Sequence, residues 1–179
     1  LIFRADTKRV DIRNNNVVNI SKSGGTGRNS AVGLRLAGST ILRNSPITNG
    51  NNNWYMSPGA LLYYDIANNF TNAQFNAFKG YMSPREQGSI NENAPFVDAY
   101  GGNLRINTGN PSLTFKGGLP VSTPLSITND FDGNLRSLTF PCIGFSEFSG
   151  SAVVDIVSPV ISYVPFGNSS NSNFTISDI

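Results

Sequence analysis

At 179 residues the chain has room for one well-buried core and is short for two. Asn, Ser, Gly and Pro together supply 73 residues while charged side chains make up only 13%, which excludes long solvated helices and highly charged disorder. The formal net charge is +2 and histidine is absent, which removes Ser-His and Cys-His nucleophile pairs, imidazole metal sites and the usual neutral-pH base.

Many short strands joined by Asn, Gly, Ser and Pro turns is the reading that remains. We expect an all-β protein, an antiparallel β-sandwich of jelly-roll type, with at most one short helix. Its parts are a basic arm or stalk over residues 1–43, a sandwich head over 44–166, and a polar linker with a C-terminal strand over 167–179. Charge divides along the first boundary, with a balance of +6 over residues 1–43 and −4 over 44–179, so the parts are expected to face different partners. No run approaches the roughly 18 apolar residues of a membrane helix, so no membrane insertion is expected. No signal-peptide pattern opens the chain, and Leu1 in place of Met suggests a processed product or part of a longer one.

In chain order, Val10–Ile12, Val17–Ile20, Val32–Leu36 and Thr40–Leu42 read as very short strands. Strands this short need pairing partners from a larger body or from neighbouring chains. The basic residues Arg4, Lys8, Arg9 and Arg13 are the candidates for assembly contacts in the arm. The glycine-rich stretch Ser23–Ser30 lacks the Lys-Ser/Thr of a phosphate loop and reads as a linker. Trp54–Met56 and Leu61–Ile66 follow as strands across a Ser57-Pro58-Gly59 turn. Their aromatic residues suit a sugar-stacking platform, although core is the commoner fate of such side chains.

A single helix is predicted over Asn72–Lys79. Thr71 and Gln74 have the spacing of a capping box, Phe75 and Phe78 share a face, and Gly80 offers a stop. Tyr81–Ala94 reads as a long exposed loop, hence a contact surface. Trp54, Tyr55, Tyr81, Arg85 and Glu86 are therefore the candidate receptor contacts.

Beyond it, strands are predicted at Phe96–Ala99, Asn103–Asn107, Ser112–Phe115, Leu125–Thr128, Ser137–Phe140, Val153–Val157 and Val160–Val164. Leu138–Phe166 is the longest apolar-rich run, expected to be covered on both faces inside a sandwich or at a subunit contact. Gly-Asn-Leu-Arg occurs at Gly102–Arg105 and Gly133–Arg136, at separations that do not suggest a repeat architecture. Asn129–Asn134 resembles half of a calcium loop, but Thr128 and Thr139 occupy two ligand positions, so Asp132-Gly133 is expected to turn a hairpin. The lone Cys142 reads as a small buried hydrophobe. In the tail, Phe174 and Ile176 are candidate assembly residues on a strand that either pairs with a neighbour or closes its own sheet.

The carboxylates are scattered without a spacing that pairs two on one strand face. Four Asn-x-Ser/Thr sequons, at Asn19, Asn69, Asn168 and Asn173, are what this composition supplies by chance. No catalytic residue, metal or cofactor is assigned. The expected function is that of a viral or phage surface protein, a homotrimeric fibre or spike head on the virion that contacts a host receptor, perhaps a glycan. One alternative is a capsid-shell jelly roll whose cationic arm meets nucleic acid, with salt-sensitive binding. Another is a filament subunit that lends Phe174–Ile179 as a donated strand. A carbohydrate-active enzyme is the least favoured.

Overall fold

The computed structural model describes residues 2–3, 10–21, 30–34, 43, 45–46, 48–65 and 67–154, with 2–3 and 30–34 described by their backbone alone. The mainly-β expectation holds: eight short strands and one short helix organise the described residues.

The strands are β1 (Ile2–Phe3), β2 (Asn16–Asn19), β3 (Ser30–Leu34), β4 (Asn53–Met56), β5 (Leu61–Tyr64), β6 (Asn69–Phe70), β7 (Phe96–Asp98) and β8 (Asn103–Ile106). β1, β3 and β5 pair in parallel, with antiparallel β6 completing a four-stranded sheet. β2 and β4 form a second, parallel sheet. The chain therefore alternates between two sheets, and each strand lies beside the one a full circuit earlier. In the first sheet the register is constant: Ile2 faces Gly33, and Gly33 faces Tyr64, 31 residues apart each time. In the second, Asn16 faces Asn53 and Asn53 bridges to Ile90, 37 residues apart each time.

This arrangement is a stack of coils, and it corrects two expectations. The pairing that organises the first half is parallel rather than antiparallel, and no sandwich or jelly roll forms among the described residues. There is also a structural repeat, carried by Asn14-Asn15-Asn16 and Asn51-Asn52-Asn53. Asn14 and Asn51 both take a left-handed backbone, with φ of 56° and 54°, a conformation asparagine tolerates better than most residues. The middle asparagines bond between coils: Asn52 Oδ1 accepts from Asn15 N–H at 2.9 Å, and Asn52 N–H donates to Ser89 Oγ at 2.9 Å. The last form a rung, with Asn53 Nδ2 donating to Asn16 Oδ1 at 2.8 Å and to Glu92 O at 2.9 Å. Such amide ladders satisfy buried polar groups along a parallel stack.

The very short strands of residues 1–43 obtain their partners from this chain, so pairing crosses the expected boundary at Asn44. Val10–Ile12 is irregular, and Thr40–Leu42 lies outside the described residues.

Residues 72–74 form a turn of 3-10 helix that runs into the α-helix α1 (Phe75–Met82). Gln74 Oε1 accepts from Thr71 N–H at 3.1 Å, as the capping-box spacing predicts. The helix runs through Gly80 to Met82 and ends before Pro84, whose ring disfavours a helical residue ahead of it. Phe78 and Met82 face inward and join Ile12, Trp54, Leu62 and Tyr63 in the core. Phe70, Phe75 and Tyr81 pack around them, with Tyr63 and Phe78 ring centroids 5.5 Å apart.

The predicted strands Phe96–Ala99 and Asn103–Asn107 form the β7–β8 hairpin, turned where Asp98 Oδ1 accepts from Gly101 N–H at 2.8 Å. Ser112–Phe115, Leu125–Thr128 and Ser137–Phe140 are not strands, nor are Val153 and Val154. The physical reason is chemical competition for the backbone. Prolines at 111, 120, 124 and 141 remove ladder donors. Side chains hold further backbone groups in and beside these segments: Glu92 Oε1 accepts from Leu113 N–H at 3.1 Å, Asn14 Oδ1 from Leu119 N–H at 3.1 Å, and Glu147 Oε1 from Cys142 N–H at 3.0 Å. The rest of the apolar run, from Asp155 through Val160–Val164 to Phe166, lies outside the described residues, as does the tail strand.

Candidate functional site

Two of the five expected receptor contacts are buried. Trp54 is 1% exposed and Glu86 2% exposed. β4 turns Trp54 inward, where its Nε1–H donates to Glu86 Oε2 at 2.8 Å. The same carboxylate accepts from Ser89 Oγ at 2.5 Å and from Asn52 Nδ2 at 3.1 Å and 3.2 Å. Tyr81–Ala94 is thus an exposed loop only in part: Tyr81 and Met82 end α1, Ser83, Pro84, Gln87 and Gly88 are exposed, Glu86 and Ser89 are buried, and Ile90 supplies the third level of the stack.

Tyr55, Tyr81 and Arg85 are half-buried. Tyr81 donates to Asp65 Oδ2 at 2.6 Å and Tyr63 to the same oxygen at 3.0 Å, while Asn68 N–H fills Oδ1 at 2.6 Å. Burial, then the adjacent Asp65 carboxylate, pushes the Tyr63 phenol well above its ordinary pKa, and Tyr81 rises for the same two reasons. Arg43 lies over the Tyr81 ring, 4.6 Å from its centroid. Arg85 donates through Nε to Ser45 O. Of the expected assembly residues, Arg13 is paired with Asp11 by two 2.7 Å bonds, and Arg4, Lys8, Arg9, Phe174 and Ile176 lie outside the described residues.

The Asn129–Asn134 turn closes on itself. Asp130 Oδ1 accepts from the N–H groups of Asp132 at 2.9 Å and Asn134 at 2.8 Å, and Oδ2 accepts from Glu147 N–H at 2.8 Å. Burial opposes the charge on Asp130, but these bonds outweigh it and hold the carboxyl below its usual range. Asp132 is held low by the Arg105 guanidinium, paired at 2.5 Å and 2.6 Å. These carboxylates are engaged in shaping loops. Between Asn129 and Leu135 the predicted hairpin shrinks to a single bridge.

The concave surface lies elsewhere. A cleft of about 390 Å³ opens between the first asparagine triad and the loops carrying Leu119, Leu125, Arg136 and Pro141. A second, of about 220 Å³, lies between the same triad and the ends of β7 and β8, with Phe145 on its wall. Asn14, Asn15 and Gly144 line both. The two therefore share part of their lining, and the larger falls in the size range of small-molecule sites, about 300–1,000 Å³. Arg136 spans the far wall, donating to Cys142 O at 3.1 Å, Gly144 O at 2.7 Å and Glu147 Oε1 at 3.0 Å.

The sequence reading included none of this shared lining. The signal available was the recurrence of Asn-Asn-Asn at a 37-residue interval, which marks equivalent levels of a stack and hence the surface they build. No protein-family model, curated protein or solved structure matches the chain.

Proposed function

We propose that the chain is a non-enzymatic structural protein of a viral or phage particle, a component of a trimeric fibre or spike that attaches to a host receptor. The observation that carries this reading is apolar exposure on the loops after β8. Phe131, Leu135 and Leu138 are 82%, 79% and 83% exposed within one short stretch of chain, a density of exposed large apolar side chains that suits contact with another molecule. In the trimer, neighbouring copies cover these residues. The coil stack gives such a particle a rigid base, because each level is hydrogen-bonded to the next by backbone and amide side chains. Among the described residues no helix is long and apolar enough to cross a membrane.

Light scattering of the purified chain at low micromolar concentration tests the proposal. A trimer that Leu135→Ser/Leu138→Ser converts to folded monomer supports it, whereas a wild-type monomer overturns it.

A further inference from the structure

We propose that the paired clefts around Asn14 and Asn15 form one binding groove for an extended, uncharged oligosaccharide. The inference rests on the attachment reading and adds to it a place on the chain and a ligand class.

Three observations select that chemistry. First, the main chain of the floor is already committed. Asn14 N–H donates to Gly50 O at 3.3 Å, Asn14 O accepts from Gly144 N–H at 2.8 Å, and Asn15 O accepts from Asn53 N–H at 2.8 Å. Asn15 N–H is taken by Asn52 Oδ1. A peptide that adds a strand needs free backbone groups at an edge, and at Asn14 and Asn15 this floor has none.

Second, the groove carries donors and acceptors with little net charge. Arg13 is matched by Asp11 at 2.7 Å and Arg136 by Glu147 at 3.0 Å. Phosphate-rich ligands require unmatched cations. A polyhydroxy ligand, which both gives and accepts hydrogen bonds, suits paired guanidinium and carboxylate groups. Because Glu147 balances the guanidinium, Arg136 adds no unmatched cation to the groove.

Third, apolar surface alternates with these polar groups. Leu125 and Ile127 are 72% and 47% exposed along the first cleft, and Phe145 is 38% exposed at the second. Sugar rings present C–H faces that pack on such surface while their hydroxyls turn to the polar side, the division of labour typical of small-ligand sites.

The test is titration calorimetry of the intact chain with maltotetraose, cellotetraose, xylotetraose and mannotetraose, beside a heparin tetrasaccharide and a proline-rich decapeptide. Binding of at least one neutral tetrasaccharide is expected, weakened roughly tenfold or more by Phe145→Ala and by Asp11→Asn, with melting temperatures unchanged. Tyr100→Ala, exposed and outside both clefts, should bind as wild type. No binding of any neutral tetrasaccharide at millimolar concentration overturns the proposal. So does tighter binding of heparin or peptide, or neutral binding that survives both groove variants. A trimer that binds none of the neutral sugars refutes the groove alone, and a monomer that binds them refutes the assembly reading alone.

Discussion

Replacing Glu86 tests the network that ties the third level of the stack to the second. Its carboxylate accepts from Trp54 Nε1, Asn52 Nδ2 and Ser89 Oγ within 2.5–3.2 Å. Glu86→Ala leaves the buried indole N–H and the Asn52 amide without that acceptor. Hydrogen bonds to a charged group contribute about 1.5–3 kcal/mol each. They do not add in full, because the Ser89 hydroxyl rotates and water enters the vacated space. We expect a loss of about 3–5 kcal/mol, a large share of the roughly 5–15 kcal/mol that holds a domain together. Glu86→Gln keeps the shape and one acceptor oxygen, and should cost about 1–2 kcal/mol. Position 86 has φ of 58°, and that strain is common to glutamate and both replacements, so it cancels. Urea unfolding followed by fluorescence is the assay, since Trp54 is the one tryptophan of the chain and sits in the network it reports. An alanine variant within about 1 kcal/mol of wild type, or a glutamine variant as unstable as the alanine one, would refute the reasoning.

The asparagine rung makes a second prediction. Asn53→Ala removes bonds to Asn16 Oδ1, Glu92 O and Glu92 N–H, and should lower unfolding stability by about 2–4 kcal/mol. Asn16→Ala, which removes one of the three, should cost less; equal costs would refute the assignment of separate stabilisation to the Glu92 bonds. Acid supplies a third. Asp130 is held below its usual pKa when folded, so its stabilisation is present above the unfolded carboxylate value of about 3.9 and fades as pH falls toward the lower folded value. Urea midpoints measured from about pH 6 down to 2 should decline less steeply in Asp130→Asn than in wild type, and identical slopes would contradict the assignment.

Local sequence was informative where one element satisfies itself. Thr71 and Gln74 predict the helix start, and the strands predicted at Phe96–Ala99 and Asn103–Asn107 form the β7–β8 hairpin, because the deciding contacts lie within a few residues. The helix end was missed by three residues, since Gly80 permits a stop that Pro84 enforces. The strands predicted across 112–140 failed for the opposite reason. Their alternation was real, but Glu92 reaches the Leu113 backbone from a distant position, Asn14 and Glu147 hold the backbone beside them, and flanking prolines deny it a ladder.

What the amino-acid order determined by itself is therefore the small vocabulary of strands, the helix, the tight turns and the two asparagine triads. Which strand pairs with which was decided only in three dimensions. An Asn-Asn-Asn triplet reads locally as a turn, and it becomes a rung only when the next triplet, 37 residues on, lies beside it. Glu86 shows the same division: it looks like surface chemistry in isolation, yet it is buried where it accepts from Trp54, which takes the core place commoner for aromatic residues.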